Sequence, residues 1–300
     1  MSSILTPGQR PDAGTILGDH QRRIQRLEAT DPLADCGCVP SGGLTPSEII
    51  LAIPDLMAFW KLNEETGDIA FDSANGYDLD SGTDSPPTWG AGAGPPGETS
   101  AQFGTGLAEK LASFPAMTGD FSGGIFAYRD TIATGFLMGQ GDPVSANNNG
   151  WALNLDASGP NGAIVFIGDT TGGPHITQGD AAIPTATWKM IAFRRGSNIW
   201  RLNVNGVAQA SSYDDSGTNY TTTTGIALGD RNGSGTGEFA GRLSYGFLVA
   251  RAMTDVEFAA VYDGILAFDA GGITDGYVLT ADSTSPDGWS WQLPTIEVQF

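Results

Sequence analysis

The sequence predicts an all-β protein, and three observations carry the prediction. Its 300 residues include 43 Gly and 17 Pro, a density of turn formers that breaks up long helices. Hydrophobic residues make up 40% of the chain, enough to fill a core. From Leu56 to Met253 the apolar runs are short, and each is bounded by Gly, Asn, Asp or Pro, as in the strands of a sandwich.

The chain opens with "MSSILTPGQR", which has no apolar stretch long enough for a signal peptide, so synthesis in a host cytoplasm without Sec export is expected. In "ILGDHQRRIQRLEATDP", Leu17, His20, Ile24 and Leu27 occupy the a and d sites of a short heptad pattern that Pro32 ends. Two heptads are marginal alone, so this helix needs copies of itself or a host assembly. His20 reads as a packing or register residue. Asp31 to Glu48 is rich in Pro, Gly and Ser and reads as a linker. Within it Cys36 and Cys38 stand too close in sequence for an unstrained disulfide, and no second pair or ligand histidine follows to make a zinc site. They read as free thiols, although three chains meeting here could cross-link them or share a metal. Residues 1–47 therefore form an attachment segment.

Thr45 or Ser47 caps a short turn into "EIILAIPDLMAFW". The strand-like runs then follow, and "IWRLNVNGV" is the clearest of them. Ile199, Arg201, Asn203 and Asn205 alternate with Trp200, Leu202 and Val204, and Asn205-Gly206 supplies a hairpin turn with positive φ. Trp60, Trp188 and Trp200 lie in such strand patterns and are expected in the core.

The formal net charge is −20, spread along the chain without a dense basic patch. Counterion release cannot hold such a surface on nucleic acid or anionic lipid, and no apolar run is long enough for membrane insertion. The acidity reads as a solvated surface.

From about Pro54 to Ile265 four stretches occur in order: "LMAFWKLNEETGDIAFDSANGYDLDSG", "TWGAGAGPPGETSAQFGTG", "WKMIAFRRGSNIWRLNVNGVAQA" and "IALGDRNGSGTGEFAGRLSYGFLVARAMTDVEFAAVYDGI". This order resembles the laminin-G-like, concanavalin A-like jelly-roll family. The resemblance implies two antiparallel sheets packed face to face over residues 48–268, with the Ser81–Ser100 stretch kept inside the domain. In the last stretch Thr254 and Glu257 form a capping box for a short helix.

The resemblance also implies binding of glycans or proteins through rim loops, often beside calcium. Trp89, Tyr213 and Tyr220 lie in polar or Gly-rich loops and are the candidates for stacking on sugar rings, against the alternative that each pins its own loop. Candidate calcium ligands are Asp72, Asp230 and Asn232, with Asp68, Asp78, Asp80, Asp214, Asp215 and Glu238 nearby. None forms a tight Asp-x-Asp-x-Asp-Gly loop, so each also reads as a turn residue. No Glu-x-Asp-x-Glu strand is present, and neither His20 nor His175 is near a Gly-x-Ser-x-Gly elbow, so an enzyme is not expected.

The closing "GYVLTADSTSPDGWSWQ" resembles a repeat-like motif of bacteriophage tail-fibre and minor tail proteins, and the N-terminal helix is similar to their attachment segments. Trp289 and Trp291 fall on one side of a strand within residues 269–300 and are expected to be covered by neighbouring subunits. Together these resemblances imply a homotrimeric minor tail or tail-fibre protein of a virion, binding host-surface carbohydrate or other virion proteins. The alternatives are a capsid decoration or head-fibre protein, and a bacterial lectin or glycosidase.

Overall fold

A computed structural model describes residues 45–81, 86–95, 99–104, 109–111, 113–144, 149–156, 162–170, 173–218, 220–222, 225–230, 238–269, 278–280 and 290–292. The heptad residues Leu17, His20, Ile24 and Leu27, both cysteines, Asn232 and Trp289 lie outside them. Among the described residues the predicted all-β class holds, with two sheets forming a jelly-roll sandwich.

The first sheet runs in the order β1 (Leu56–Trp60), β15 (Gly241–Val249), β6 (Phe121–Arg129), β11 (Trp188–Gly196), β12 (Ile199–Val204) and β13 (Val207–Asp214), with β4 (Ala101–Phe103) also paired to β15. The second runs β10 (His175–Ala182), β9 (Gly162–Ile167), β8 (Asn149–Leu155), β7 (Gly135–Asp142), β14 (Ile226–Leu228), β5 (Glu109–Leu111), β3 (Leu79–Asp80) and β2 (Ile69–Ala70). A separate hairpin joins β16 (Val278–Thr280) to β17 (Ser290–Gln292), setting Leu279 opposite Trp291.

Alternation along each strand builds the core. Trp200, Leu202 and Val204 point between the sheets with Trp60, Trp151, Phe121 and Phe193, while Arg201 on the other side of β12 is exposed. The turn after β12 has φ of 52° at Asn205 and 76° at Gly206, the left-handed pair that the sequence predicts. In β6, Gly123 and Gly124 face opposite sides of the sheet. A Cβ at Gly123 would lie 2.6 Å from Leu248 Cδ2, and one at Gly124 would lie 2.7 Å from Phe247 Cζ. Glycine here lets large neighbours meet across the central strand.

A second apolar cluster covers the outer face of the first sheet, where Phe59, Phe126, Met190 and Phe247 meet Phe258, Val261 and Ile265 of α2 (Asp255–Asp269) and Ile50 of α1 (Pro46–Leu51). Both helices start with the same device. Thr45 Oγ1 accepts from Glu48 N–H while Glu48 Oε2 accepts from Thr45 N–H, which decides the cap in favour of Thr45. Thr254 and Glu257 repeat the exchange at 3.2 and 2.6 Å, as the sequence predicts.

Trp188 departs from expectation. Trp60 and Trp200 are fully buried, but Trp188 is half-buried on the outer face of the first sheet. There it donates to Ala93 O at 3.0 Å and packs against Tyr128, over which Arg242 lies at 3.7 Å. Its parity along β11 matches Met190, which also faces outward. Strand patterning marks an apolar position but does not say which side of the sheet is covered.

Two buried arginines tie down opposite ends of the sandwich. Arg129, the last residue of β6, donates to the carbonyls of Thr131, Ala133, Asp156 and Ile183, and burial holds its guanidinium below the usual arginine range. Arg195 stands at the other end, opposite Phe121 at the start of β6.

Candidate functional site

At the Arg195 end the turn after β11 meets residues 215–218 and 220–222 beyond β13 to form a rim, and its foundation is a buried ion pair. Arg195 Nε donates to Asp215 Oδ2 at 2.7 Å and Nη2 to Oδ1 at 3.1 Å, a two-pronged contact between side chains that are 8% and 1% exposed. The remaining donors reach Thr118 O, Gly119 O and Asn198 Oδ1, and Trp200 Nε1 also donates to Asp215 at 2.8 Å. Four segments are thereby fixed to one charge pair. Ser197 and Asn198, with φ of 51° and 66°, close the two-residue turn between β11 and β12 and bring the Asn198 amide into reach.

Tyr220 roofs this pair. Its ring lies 5.1 Å from the Arg195 guanidinium carbon and meets Trp200 edge-on at 5.6 Å, and its hydroxyl donates to Met117 O. Burial, above all, pushes its hydroxyl pKa well up. Gln140, fully buried below, accepts from Met117 N–H and Thr222 Oγ1 and donates to Pro115 O, which holds the 115–117 and 220–222 segments together.

Beside this framework Tyr213 is half-buried, and the His175 ring stacks on it at 4.7 Å with an interplanar angle of 18°. His175 Nε2 lies 3.4 Å from Asp169 Oδ2. Burial raises the Tyr213 pKa, and the nearby carboxylates of Asp169, Asp215 and Asp214 add to the rise. Asp214 is held below the usual carboxylate range by the Ser216 backbone N–H. Thr177, on the β10 strand that His175 opens, keeps a buried hydroxyl with no hydrogen-bond partner among the described residues.

The structure thus brings Tyr213 and Tyr220 together about Arg195, Asp215 and Trp200. Trp89 is elsewhere: it donates to Gly67 O at 2.8 Å near the β2 edge and packs on the core, anchoring part of the Ser81–Ser100 stretch. Asp72 serves the backbone, accepting from Phe59 and Ala74 N–H on Oδ1 and from Asn75 and Tyr77 N–H on Oδ2. Asp78 accepts from Asp72 N–H, Asp68 and Asp80 are exposed, Asp230 is 4% exposed, and Glu238 pairs beside Phe136. Among the described residues no group of three His, Cys, Asp or Glu side chains is arranged to hold a metal ion. Sequence reasoning misses His175 and Asp169 at the rim, because the Tyr213 ring on which His175 stacks lies 38 positions further on and no local pattern links them.

Taken together, fold and rim define a lectin-like jelly-roll sandwich. Residues 103–257, more than half of the chain, match the family described as the Concanavalin A-like lectin/glucanases superfamily, of laminin G type, and the chain belongs to that superfamily. Among solved structures it is similar to the Trypanosoma rangeli sialidase, with a TM-score of 0.52 and 14% identity over 75% of this chain and 34% of that one. It is also similar to the botulinum neurotoxin serotype D ligand binding domain in complex with N-acetylneuraminic acid, with a TM-score of 0.53 and 12% identity over 72% of this chain and 52% of that one. The binding domain of Paraclostridial Mosquitocidal Protein 1 gives 0.52 and 14% over 70% and 52%. The chain therefore spans a third to a half of the lengths of these structures, and at such identities the likeness is one of fold. A search of curated protein sequences returns no match.

Proposed function

We propose that the chain is a glycan-binding subunit of a bacteriophage virion appendage, a homotrimeric minor tail or tail-fibre component whose rim meets host-surface carbohydrate. The observation that carries the glycan reading is the Tyr213–His175 stack beside Asp169. Sugars present apolar ring faces and a circle of hydroxyls, and stacked rings that carry a phenol hydroxyl and an imidazole answer both. The Arg195–Asp215 framework orders the rim before any ligand arrives, which lowers the entropic cost of binding. Carbohydrate as the ligand class agrees with the likeness in fold to a toxin domain solved with N-acetylneuraminic acid.

Binding rather than hydrolysis fits the state of the rim carboxylates. Asp169 is engaged with His175, Asp214 with Ser216 N–H, and Asp215 with Arg195 and Trp200, whereas a glycosidase needs two carboxyl groups free to exchange a proton and to attack. The virion reading is supported by the sequence alone, through the Leu17, His20, Ile24, Leu27 heptads and the "GYVLTADSTSPDGWSWQ" ending with Trp289 and Trp291.

A glycan array probed with the full chain, and with Tyr213→Ala, tests the rim. Binding to one class of surface glycan is expected, weakened at least tenfold in the variant at an unchanged unfolding midpoint. No glycan hits, or a variant that binds as well, overturns it. Antibody labelling of intact particles tests the placement: label on the tail supports it, label on the capsid moves the protein to a head fibre, and absence of label removes it from the virion.

A further inference from the structure

We infer that the rim takes uncharged sugars and rejects glycans that carry a carboxylate, phosphate or sulfate group. This deepens the glycan reading of the Tyr213–His175 stack and rests on it. An anionic sugar is held by cations with N–H donors to spare, above all an arginine that offers two side by side. Arg195 has none to offer. Of its five donors, Nε and one on Nη2 go to Asp215, the other on Nη2 goes to Asn198 Oδ1, and the two on Nη1 go to Thr118 O and Gly119 O. Its charge is answered in place by the Asp215 carboxylate 2.7 Å away, so the pair presents no net charge to a ligand.

What remains around the stack is negative. Asp169 Oδ2 lies 3.4 Å from His175 Nε2, exposed Asp214 follows Tyr213 in the chain, and exposed Asp120 accepts from Ser197 N–H at 2.9 Å in the turn after β11. Tyr213 registers this field: burial raises its hydroxyl pKa first, and the carboxylates of Asp169, Asp215 and Asp214 raise it further. The strands that present His175 and Tyr213, β10 and β13, carry Asp180 and Asp214 and neither lysine nor arginine. His175 is the group here that can become cationic, and its Nε2 already faces Asp169, so a proton taken up there is balanced within the chain.

The arginines of the neighbouring strands face the other side of the sheet. In the β12–β13 register Trp200 lies opposite Tyr213 and Arg201 opposite Ser212, so alternation turns Arg201 to the outer face. Arg194 lies opposite Arg201, on that same face, and is engaged with Met253 O and Asp255. A carboxylate arriving at the stack therefore meets Asp169 and Asp214 with no arginine on that side to receive it, and like charges set against each other work against association. A neutral sugar keeps the aromatic contact and has no charge to be repelled.

A glycan array of matched pairs tests this on the full chain, each pair being a neutral oligosaccharide and the same one capped with a sugar carboxylate or a sulfate. The neutral member is expected to bind about tenfold more tightly. Raising the salt from about 0.05 to about 0.5 M should narrow that gap at least threefold, because screening shortens the reach of exposed charges. Asp214→Asn, which keeps an oxygen for the Ser216 N–H, should narrow it too at an unchanged unfolding midpoint. Equal binding within the pairs, or preference for the anionic member, overturns the inference and leaves the rim a glycan site. A gap that neither salt nor Asp214→Asn alters overturns charge as its cause. Binding to no member of any pair overturns the inference together with the glycan reading.

Discussion

Replacing Asp215 by Ala removes the anion on which one end of the sandwich is built. Three donors lose their acceptor: Arg195 Nε, Arg195 Nη2 and Trp200 Nε1, at 2.7, 3.1 and 2.8 Å in the native protein. The guanidinium stays buried, because Tyr220 covers it and the Thr118, Gly119 and Asn198 oxygens still hold it. Removing one partner of a buried ion pair costs roughly 3–5 kcal/mol, since the charge left behind has neither water nor counter-ion. Those three remaining oxygens solvate part of that charge, which places the expected loss toward the lower end, about 3 kcal/mol. For a domain of this size that corresponds to a fall in the unfolding midpoint of roughly 6–12 °C. Calorimetry on wild type, Asp215→Ala, Arg195→Met and the double variant measures it. The double variant should recover part of the loss, because it buries no orphan charge, and the cycle should give a coupling of at least about 1 kcal/mol. A single-variant loss under about 1 kcal/mol, or additive singles, would show that water reaches the pair and that the rim is not held from below.

Arg129→Met should cost about 3 kcal/mol, read as a lower denaturant midpoint, because the carbonyls of Thr131, Ala133, Asp156 and Ile183 lose their shared donor. Gly124→Val should cost about 1–3 kcal/mol or more by overpacking against Phe247 and Ala192, and a crystal structure of the variant should show the Phe247 ring displaced. Asp72→Ala strands four backbone N–H groups and should lower the unfolding midpoint by a loss of about 2–4 kcal/mol, whether or not a chelator is present. For Glu257 burial alone raises the carboxyl pKa, but the bonds from Arg251 and Thr254 outweigh it and leave it below the ordinary value. A carboxylate whose folded pKa is depressed contributes stability above its unfolded pKa, near 4.5, and loses it as the pH falls through the folded value. Thr254→Ala should therefore cost about 1 kcal/mol at pH 7 and less in acid, measured as unfolding midpoints across pH 7 to 3.

Much of the fold can be read locally. The Asn205-Gly206 turn, the Thr254–Glu257 box and the Trp200, Leu202, Val204 stripe each depend on residues a few positions apart, where backbone sterics and hydrogen bonding act without the rest of the chain. The rim is another matter. Tyr220 stands out as a loop aromatic, but Tyr213, which reads as one in the sequence, is the penultimate residue of strand β13; His175 and Asp169 reach it from the opposite sheet, and Arg195 finds Asp215 twenty positions on. Trp188 shows the same limit, because its strand position is legible and its cover is not.

By itself the sequence determined the all-β class, the Asn205-Gly206 hairpin turn, the Thr254 start of α2 and a surface that repels polyanions, since propensity, period and charge are properties of short stretches or of the whole composition. Only the tertiary structure decided which side of each strand is covered, which carboxylate neutralises which arginine, and which aromatic the His175 ring stacks on. Those outcomes depend on pairings between residues distant in the chain, which follow from how the sheets stack rather than from any local pattern.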